Sequence, residues 1–323
     1  MMTPILRKLK SSRNVLLASH ENPDGDAIGA LLAMGFALEA LDKKIVLYNA
    51  SPIPAVYRFL PSVRRVLKHL RKGEDFDTAV ILDCGDLERI GPGASAIACA
   101  PVIINVDHHV TNTGFGTHQL IDTQASATCE IVYRLIKALD VPISRDIAES
   151  IYTGILTDTG SFRFSNTNQA AFAICAEMIG CGADPYQVAQ HVYGKYSLGR
   201  IKLLNLALDS IEISANGRLS LMTVTKEMLA ETGTRLEDAD GMINYAKQIE
   251  TVAVAALIQE EVTAKNNNKK NQYHVSLRSD GSVDVAEIAA SFGGGGHASA
   301  SGFSIQAPLA DIKDRILRLA EEI

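Results

Sequence analysis

The sequence predicts an α/β protein in two parts: a mostly parallel sheet first, then a smaller α/β domain with a mixed sheet, joined by a helical linker. Three observations carry that expectation. Residues 15–19, 79–82 and 102–106 are short, nearly all-apolar runs, the pattern of strands buried on both faces. Helix-period stretches at 27–38, 129–139 and about 147–156 fall between or after them. Past residue 185 the rhythm changes to strands at 219–224, 251–258 and 273–277 around more polar connections. The expected boundaries are 1–185 for the first domain, 186–206 for the linker and 207–323 for the second.

A chain of 323 residues is long enough for two such domains, and 47% hydrophobic with 21% charged residues is an ordinary globular balance. The longest nearly apolar stretch, 27–38, is too short to cross a bilayer. Residues 1–10 show no apolar core followed by a cleavage site. Five cysteines, Cys84, Cys99, Cys129, Cys175 and Cys181, are odd in number and form no Cys-x-x-Cys pair, which points to reduced thiols and a cytoplasmic protein. A net charge of −6 argues against a general binder of long nucleic acid, but it leaves room for a short phosphorylated ligand held locally.

Taken in order, the run 15–19 leads into His20, Asp24 and Asp26. Alone, the two acids read as helix N-caps. The helix 27–38 carries Gly29, Ala30 and Ala33, small enough to lie close to a sheet. A strand follows at 45–48. Residues 51–72 hold Pro52, Pro54 and Pro61 and a short polar helix that leaves His69 in solvent. The run 79–82 ends at Asp83. Beside it Cys84 reads as a small buried residue, and Asp86 as either a cap or a neighbour of the site. The run 102–106 ends at Asp107, His108 and His109, before a polar loop at 111–116. Ser126 and Thr128 are cap candidates for the helix 129–139. Asp158 follows the helical stretch, and 161–167 reads as strand or loop, with Arg163 either on the surface or a contact for phosphate. The helix 169–179 stops at Gly180 and Gly182. The linker contains Gly194 and Gly199 as hinge candidates. In the second domain, 266–271 reads as a hairpin tip, 285–291 as a helix, and 293–296 as a glycine run before the apolar 302–305. His118, His191 and His274 show no partner in the sequence.

If the three runs are neighbouring parallel strands, their acids and imidazoles meet at the carboxyl edge of the sheet, where open α/β sheets bind ligands. Asp24, Asp26, Asp83 and Asp158 would then crowd together with His20 and His108. Four carboxylates cannot all stay ionised there without positive charge, and no Lys or Arg stands in these motifs. Oxygen donors with one or two imidazoles suit Mn²⁺ best, with Mg²⁺, Co²⁺ or Zn²⁺ as substitutes. Six ligands suffice for two ions if one carboxylate bridges. Two ions about 3.5–4 Å apart polarise a phosphoryl oxygen and acidify water. The chemistry indicated is phosphoester hydrolysis. Asp107 is placed to orient an imidazole, and His109 to face the substrate.

His20-Glu21-Asn22-Pro23-Asp24-Gly25-Asp26, Asp83, Asp107-His108-His109 and Asp158 resemble, in order, the four motifs of the DHH phosphoesterase superfamily. Gly293-Gly294-Gly295-Gly296-His297-Ala298-Ser299 resembles the signature of its DHH-associated C-terminal domain, so the resemblance covers nearly the whole chain. It implies that His108 binds metal while His109 contacts the reacting phosphate. It also implies that Arg278 grips the substrate's phosphate or nucleotide with Gly294, Gly295, Gly296, His297 and Ser299. The planar fork of Arg suits that task. Within the superfamily the chain is most similar to the bacterial branch that degrades short RNA oligonucleotides to mononucleotides and dephosphorylates adenosine 3′,5′-bisphosphate to AMP. The inorganic pyrophosphatases lack the glycine-rich signature. The single-strand DNA exonucleases are longer, and the membrane-bound cyclic-dinucleotide enzymes carry membrane segments. A soluble cyclic- or linear-dinucleotide phosphodiesterase is the rival enzyme. An inactive nucleotide-binding regulator is the rival from another class, although such a module has no need of six ligands. The oligomeric state is open, a homodimer included.

Overall fold

The apolar runs pair side by side as expected. β1 (Asn14–Ala18), β2 (Lys44–Tyr48), β3 (Thr78–Leu82), β4 (Ile103–Asp107) and β5 (His118–Ile121) form one all-parallel sheet in the order β2-β1-β3-β4-β5. Leu17 lies opposite both Leu47 and Val80, and Val106 lies opposite Leu120. The computed structural model describes residues 2–71, 75–194, 196–261, 272–321 and 323. They form two compact units, Met1–Lys195 and Tyr196–Ile323.

The interiors of β1 to β4 are apolar apart from the buried Asn105, because both faces of the first sheet are covered. Val15, Leu17, Val80, Leu82, Ile104 and Val106 face a core shared with helices, while Leu16, Ala18, Ala79, Ile81 and Ile103 face a second core. The helices of the first unit are α1 (Met2–Ser11), α2 (Gly25–Glu39), α3 (Ala94–Ile97), α4 (Thr128–Ala138), α5 (Arg145–Asp158), α6 (Gln169–Gly180) and α7 (Pro185–Ala189). The first core takes its residues from α1, α2, α4, α5, α6 and α7. α2 is buried along nearly its whole length, so it shows no polar face.

Close approach of α2, α4 and α5 depends on Gly154. A Cβ there would lie 2.2 Å from Cys129 Sγ and 2.8 Å from Asp26 Oδ1. Gly154→Ala should therefore overpack this junction and destabilise the protein by about 1–3 kcal/mol. Chemical denaturation of the variant measures that loss, and an unchanged midpoint would contradict the packing argument.

α7 runs into a π-helical turn, Gln190–Gly194, where His191 stacks on Phe59 with ring centroids 4.4 Å apart. The second unit contains α8 (Leu198–Asp209), β6 (Glu212–Ile213), β7 (Leu219–Val224), α9 (Lys226–Thr232), α10 (Ile243–Lys247), β8 (Val254–Glu260), β9 (Gln272–Ser279), α11 (Val285–Ser291), β10 (Gly295–His297), β11 (Ala300–Gln306) and α12 (Leu309–Arg318). Its sheet is mixed, in the order β10-β11-β9-β8-β7-β6, with only β7 and β8 parallel. α11 and α12 pack on one face; α8 and α10 share the core on the other, over β7 and β8.

Several expectations are corrected in detail. The strand expected at 251–258 begins at Val254. Of the two readings for residues 161–167, strand or loop, the structure takes the loop, as a run of turns. Gly199, a hinge candidate in the sequence, lies in the first turn of α8, where a Cβ would meet the Thr232 carbonyl at 2.6 Å. The hairpin tip expected at 266–271 lies outside the described residues.

Candidate metal centre

The carboxyl ends of β1, β3 and β4 lead into His20, Asp83 and the Asp107-His108-His109 run, and the start of α2 and the end of α5 add Asp24, Asp26 and Asp158. Three groups result, each offering one ligand atom per residue with all atoms within 4.8 Å: His20, Asp24 and Asp83; Asp83, His108 and His109; Asp26, His108 and Asp158. Asp83 belongs to two of them. It sits just past β3 with φ 54, a left-handed conformation that is uncommon for a residue with a Cβ.

The three histidines are not equivalent. His20 Nδ1 lies 2.7 Å from the Glu21 carbonyl, and His108 Nδ1 lies 3.3 Å from the Ala125 carbonyl. A carbonyl can only accept, so each Nδ1 carries the proton and each Nε2 keeps a lone pair when the ring is neutral. Those Nε2 atoms face the acids, His20 at 3.5 Å from Asp83, and His108 at 3.8 Å from Asp83 and 3.6 Å from Asp158. A backbone partner on one ring nitrogen with the other left for a cation is the usual arrangement of metal-binding imidazoles. His109 instead turns Nδ1 to the carboxylate of Asp107, at 2.6 Å. Asp107 is fully buried, and its other oxygen accepts from Asn112 Nδ2 at 2.6 Å, which also reaches Asn105 Oδ1 at 2.9 Å.

The acids are held from behind. Asp24 Oδ1 accepts from the amides of Asp26 and Ala27, so it caps α2 and stands in the cluster at once. Asp26, on the first turn of α2, accepts from Thr128 N at 2.6 Å and Cys129 N at 2.9 Å. The cap expectation for Ser126 and Thr128 is thereby corrected. The N-cap of α4 is Ala127, without a side-chain bond, and the carboxylate of Asp26 takes the free amides instead. Ser126 Oγ donates to Glu130, and Thr128 Oγ1 donates to Asp83 Oδ1 at 3.0 Å. Asp158 ends α5, where the helix dipole adds further negative potential. Asn166 Nδ2 reaches its carboxylate at 3.2 Å.

Electrostatically the cluster calls for cations. Burial, then the nearby Asp83, pushes Asp26 up to about 7. Burial and the Asp26 charge raise Asp158 well above the carboxylate range. Burial alone would depress His20 and His108, but the facing acids outweigh it and hold both near 9. Burial likewise works against ionised Asp83, yet three imidazoles keep it below its ordinary range. Among the described residues no lysine or arginine pairs with Asp24, Asp26, Asp83 or Asp158. Hard oxygen donors with imidazole nitrogen fit divalent ions of the Mn²⁺ or Mg²⁺ kind. Cys84 is buried with its thiol pushed up to about 12 by that burial, which suits packing rather than metal binding. Asp86 caps the turn after β3.

In the second unit Arg278 lies on β9 between Ala255 and Ala300 of the neighbouring strands. Its guanidinium donates to the Leu277 carbonyl, makes no ion pair among the described residues, and is depressed by burial. The glycine run departs from a simple loop. Gly295 to His297 form the edge strand β10, and a Cβ on Gly294 or Gly296 would strike β11 at 2.2 Å or 2.5 Å. Packing inside the hairpin therefore explains two of these glycines. The Ser299 carbonyl accepts from Ser279 N.

Residues 14–155 match the DHH family, N-terminal domain, and residues 222–323 match the DHHA1 domain. A Thermus thermophilus protein named bifunctional oligoribonuclease and PAP phosphatase is 30% identical over 95% of this chain and 89% of its own length. The chain belongs to the DHH family. As a member it is a hydrolase of phosphoester bonds. A Bacillus subtilis protein of the same name is 27% identical over 98% of the chain and 96% of its own. The crystal structure of an exopolyphosphatase-related protein from Bacteroides fragilis superposes with a TM-score of 0.90 at 27% identity, covering 98% of this DHH-family chain and 95% of the other. No described helix is long and apolar enough to cross a membrane.

What the sequence did not disclose is the support around the ligand candidates. Asn105, Asn112, Thr128 and Asn166 are polar residues of common type whose partners lie on other elements. Only the start of a helix at Thr128 was a visible signal.

Proposed function

We propose that this DHH-family chain hydrolyses short RNA oligonucleotides to mononucleotides and dephosphorylates adenosine 3′,5′-bisphosphate to AMP in the cytoplasm, with two divalent ions, Mn²⁺ foremost. The observation that carries the reading is the pair of imidazoles, His20 and His108, whose Nε2 atoms converge on the shared Asp83. The names of the two relatives supply the substrate classes. His20, Asp24 and Asp83 would hold one ion, Asp83, Asp26, His108 and Asp158 the other, with Asp83 common to both. Two such ions, when bound, supply Lewis acidity toward the phosphoryl group and acidify water. His109 donates a hydrogen bond to the phosphate being cut, and Asp107 fixes its ring for that task. In this reading residues 1–185 carry the chemistry, 186–206 link, and 207–323 hold substrate through Arg278, Gly294, Gly295, Gly296, His297 and Ser299.

A panel with Mn²⁺ tests it: adenosine 3′,5′-bisphosphate, RNAs from dinucleotides upward, and cyclic dinucleotides. Turnover should be highest on the shortest RNAs and fall with length, since an acidic protein offers no evident track for a long strand. Arg278→Ala should raise KM about tenfold or more, as expected for losing charge-assisted bonds worth about 1.5–3 kcal/mol, and leave metal content unchanged. Equal rates on long and short RNA would defeat the length argument, and preference for cyclic dinucleotides would favour the rival enzyme.

A further inference from the structure

Asp83 is the hub of the acid cluster, yet most of its contacts are loose. The imidazoles of His20, His109 and His108 approach its carboxylate only to 3.5, 3.7 and 3.8 Å. Its closest side-chain partner is Thr128, whose hydroxyl lies 3.0 Å from Oδ1. An ionised carboxylate only accepts, so the hydroxyl must be the donor. The same residue gives its backbone amide to Asp26 Oδ2 at 2.6 Å, and the next amide, Cys129 N, takes the other oxygen at 2.9 Å. Thr128 is fully buried at the first turn of the eleven-residue helix α4, and its branched side chain has few rotamers to choose from.

We propose that Thr128 is a positioning residue that ties the two halves of the acid cluster together, its hydroxyl aiming Asp83 while its amide holds Asp26, and that it sets how tightly the site takes divalent ions. The inference rests on the metal-site reading above. Carboxylates that bind metal are themselves hydrogen-bonded, and loss of such an outer partner costs about 10–100-fold in metal affinity. The two contacts separate cleanly. Any residue but proline at this position keeps the amide, whereas only Thr or Ser supplies a hydroxyl at the β-carbon. The effect of removing the hydroxyl should therefore fall on the ions that Asp83 serves.

The test compares metal-stripped wild type with Thr128→Val, Thr128→Ala and Thr128→Ser. Mn²⁺ is titrated calorimetrically, and Co²⁺ by its visible absorption, which reports ligand geometry without turnover. Wild type should take two ions. Val and Ala should each bind Mn²⁺ about 10–100-fold more weakly and show an altered Co²⁺ spectrum, while Ser should stay close to wild type in both. Far-UV circular dichroism and thermal unfolding check the fold; Val preserves volume and Ala avoids crowding, so either folded variant carries the comparison. Hydroxyl-free variants that match wild type would overturn the inference, as would a Ser variant as weak as Val. A wild type that binds no divalent ion would defeat the metal-site reading itself, a separate and recognisable result.

Discussion

Asp83→Asn should lower phosphoester turnover by roughly 10³-fold or more, about 4 kcal/mol of barrier, and should cost the protein at least one bound ion. Asp83 offers a ligand atom to two of the three candidate groups, so no other single acid is shared as widely between them. Asn is the right replacement because Asp83 has φ 54, a region that Asn tolerates and Ala does not. Loss of activity in the variant then reports the missing charge rather than a strained backbone. Elemental analysis of protein dialysed against Mn²⁺ gives the ion count, and steady-state rates give the turnover. Full metal content with full activity would remove Asp83 from the centre of the site. The same cluster predicts proton release on metal binding, because burial raises Asp26 to about 7 and the acids hold His20 and His108 near 9. Mn²⁺ affinity should accordingly rise with pH across that window. Calorimetry in buffers of different ionisation enthalpy measures the protons released, and a pH-independent affinity would contradict the account.

The parallel sheet was legible because burial on both faces leaves the interiors of β1, β3 and β4 apolar, Asn105 excepted, until the site begins. β5 was not, since His118-Gln119-Leu120-Ile121 is a half-exposed edge strand with too few apolar residues to stand out. α12 and β6 were missed for a related reason: their charged faces make them look like surface until the sheet they cover or extend is known. At the site, residue type and spacing pointed to the six acids and imidazoles that the strand ends and the ends of α2 and α5 bring together. The cap of α4 shows the limit. Ser126 and Thr128 have the right local chemistry, but the amides are taken by Asp26, 102 residues earlier. Nothing local distinguishes a helix capped from afar from one capped by its own neighbour. For Asp24 the cap reading does not compete with the ligand reading, because one carboxylate has two oxygens and the structure uses one of them on α2.

His109→Ala should lower turnover about 10²–10³-fold while the protein keeps two ions, whereas His108→Ala should lose an ion. The distinction rests on their different second partners. His108 Nδ1 leans on a backbone carbonyl and presents Nε2 to Asp83 and Asp158. His109 gives Nδ1 to Asp107, an acid that is buried, braced by Asn112 and held below its ordinary range. Burial would raise Asp107; the bond from His109, with that of Asn112, is what keeps it charged. In turn the acid favours the protonated ring, so His109 is raised above the usual imidazole value despite its burial. A charged, oriented imidazole is a hydrogen-bond donor suited to phosphate oxygens, and donors aimed at developing charge are among the largest contributors to catalysis. Asp107→Asn should then mimic part of the His109 loss without changing the ion count, because Asn cannot hold the ring in its charged form. Metal content and kcat, measured on all three variants, separate the roles. If His109→Ala sheds an ion while His108→Ala keeps two, the assignment of the pair is reversed.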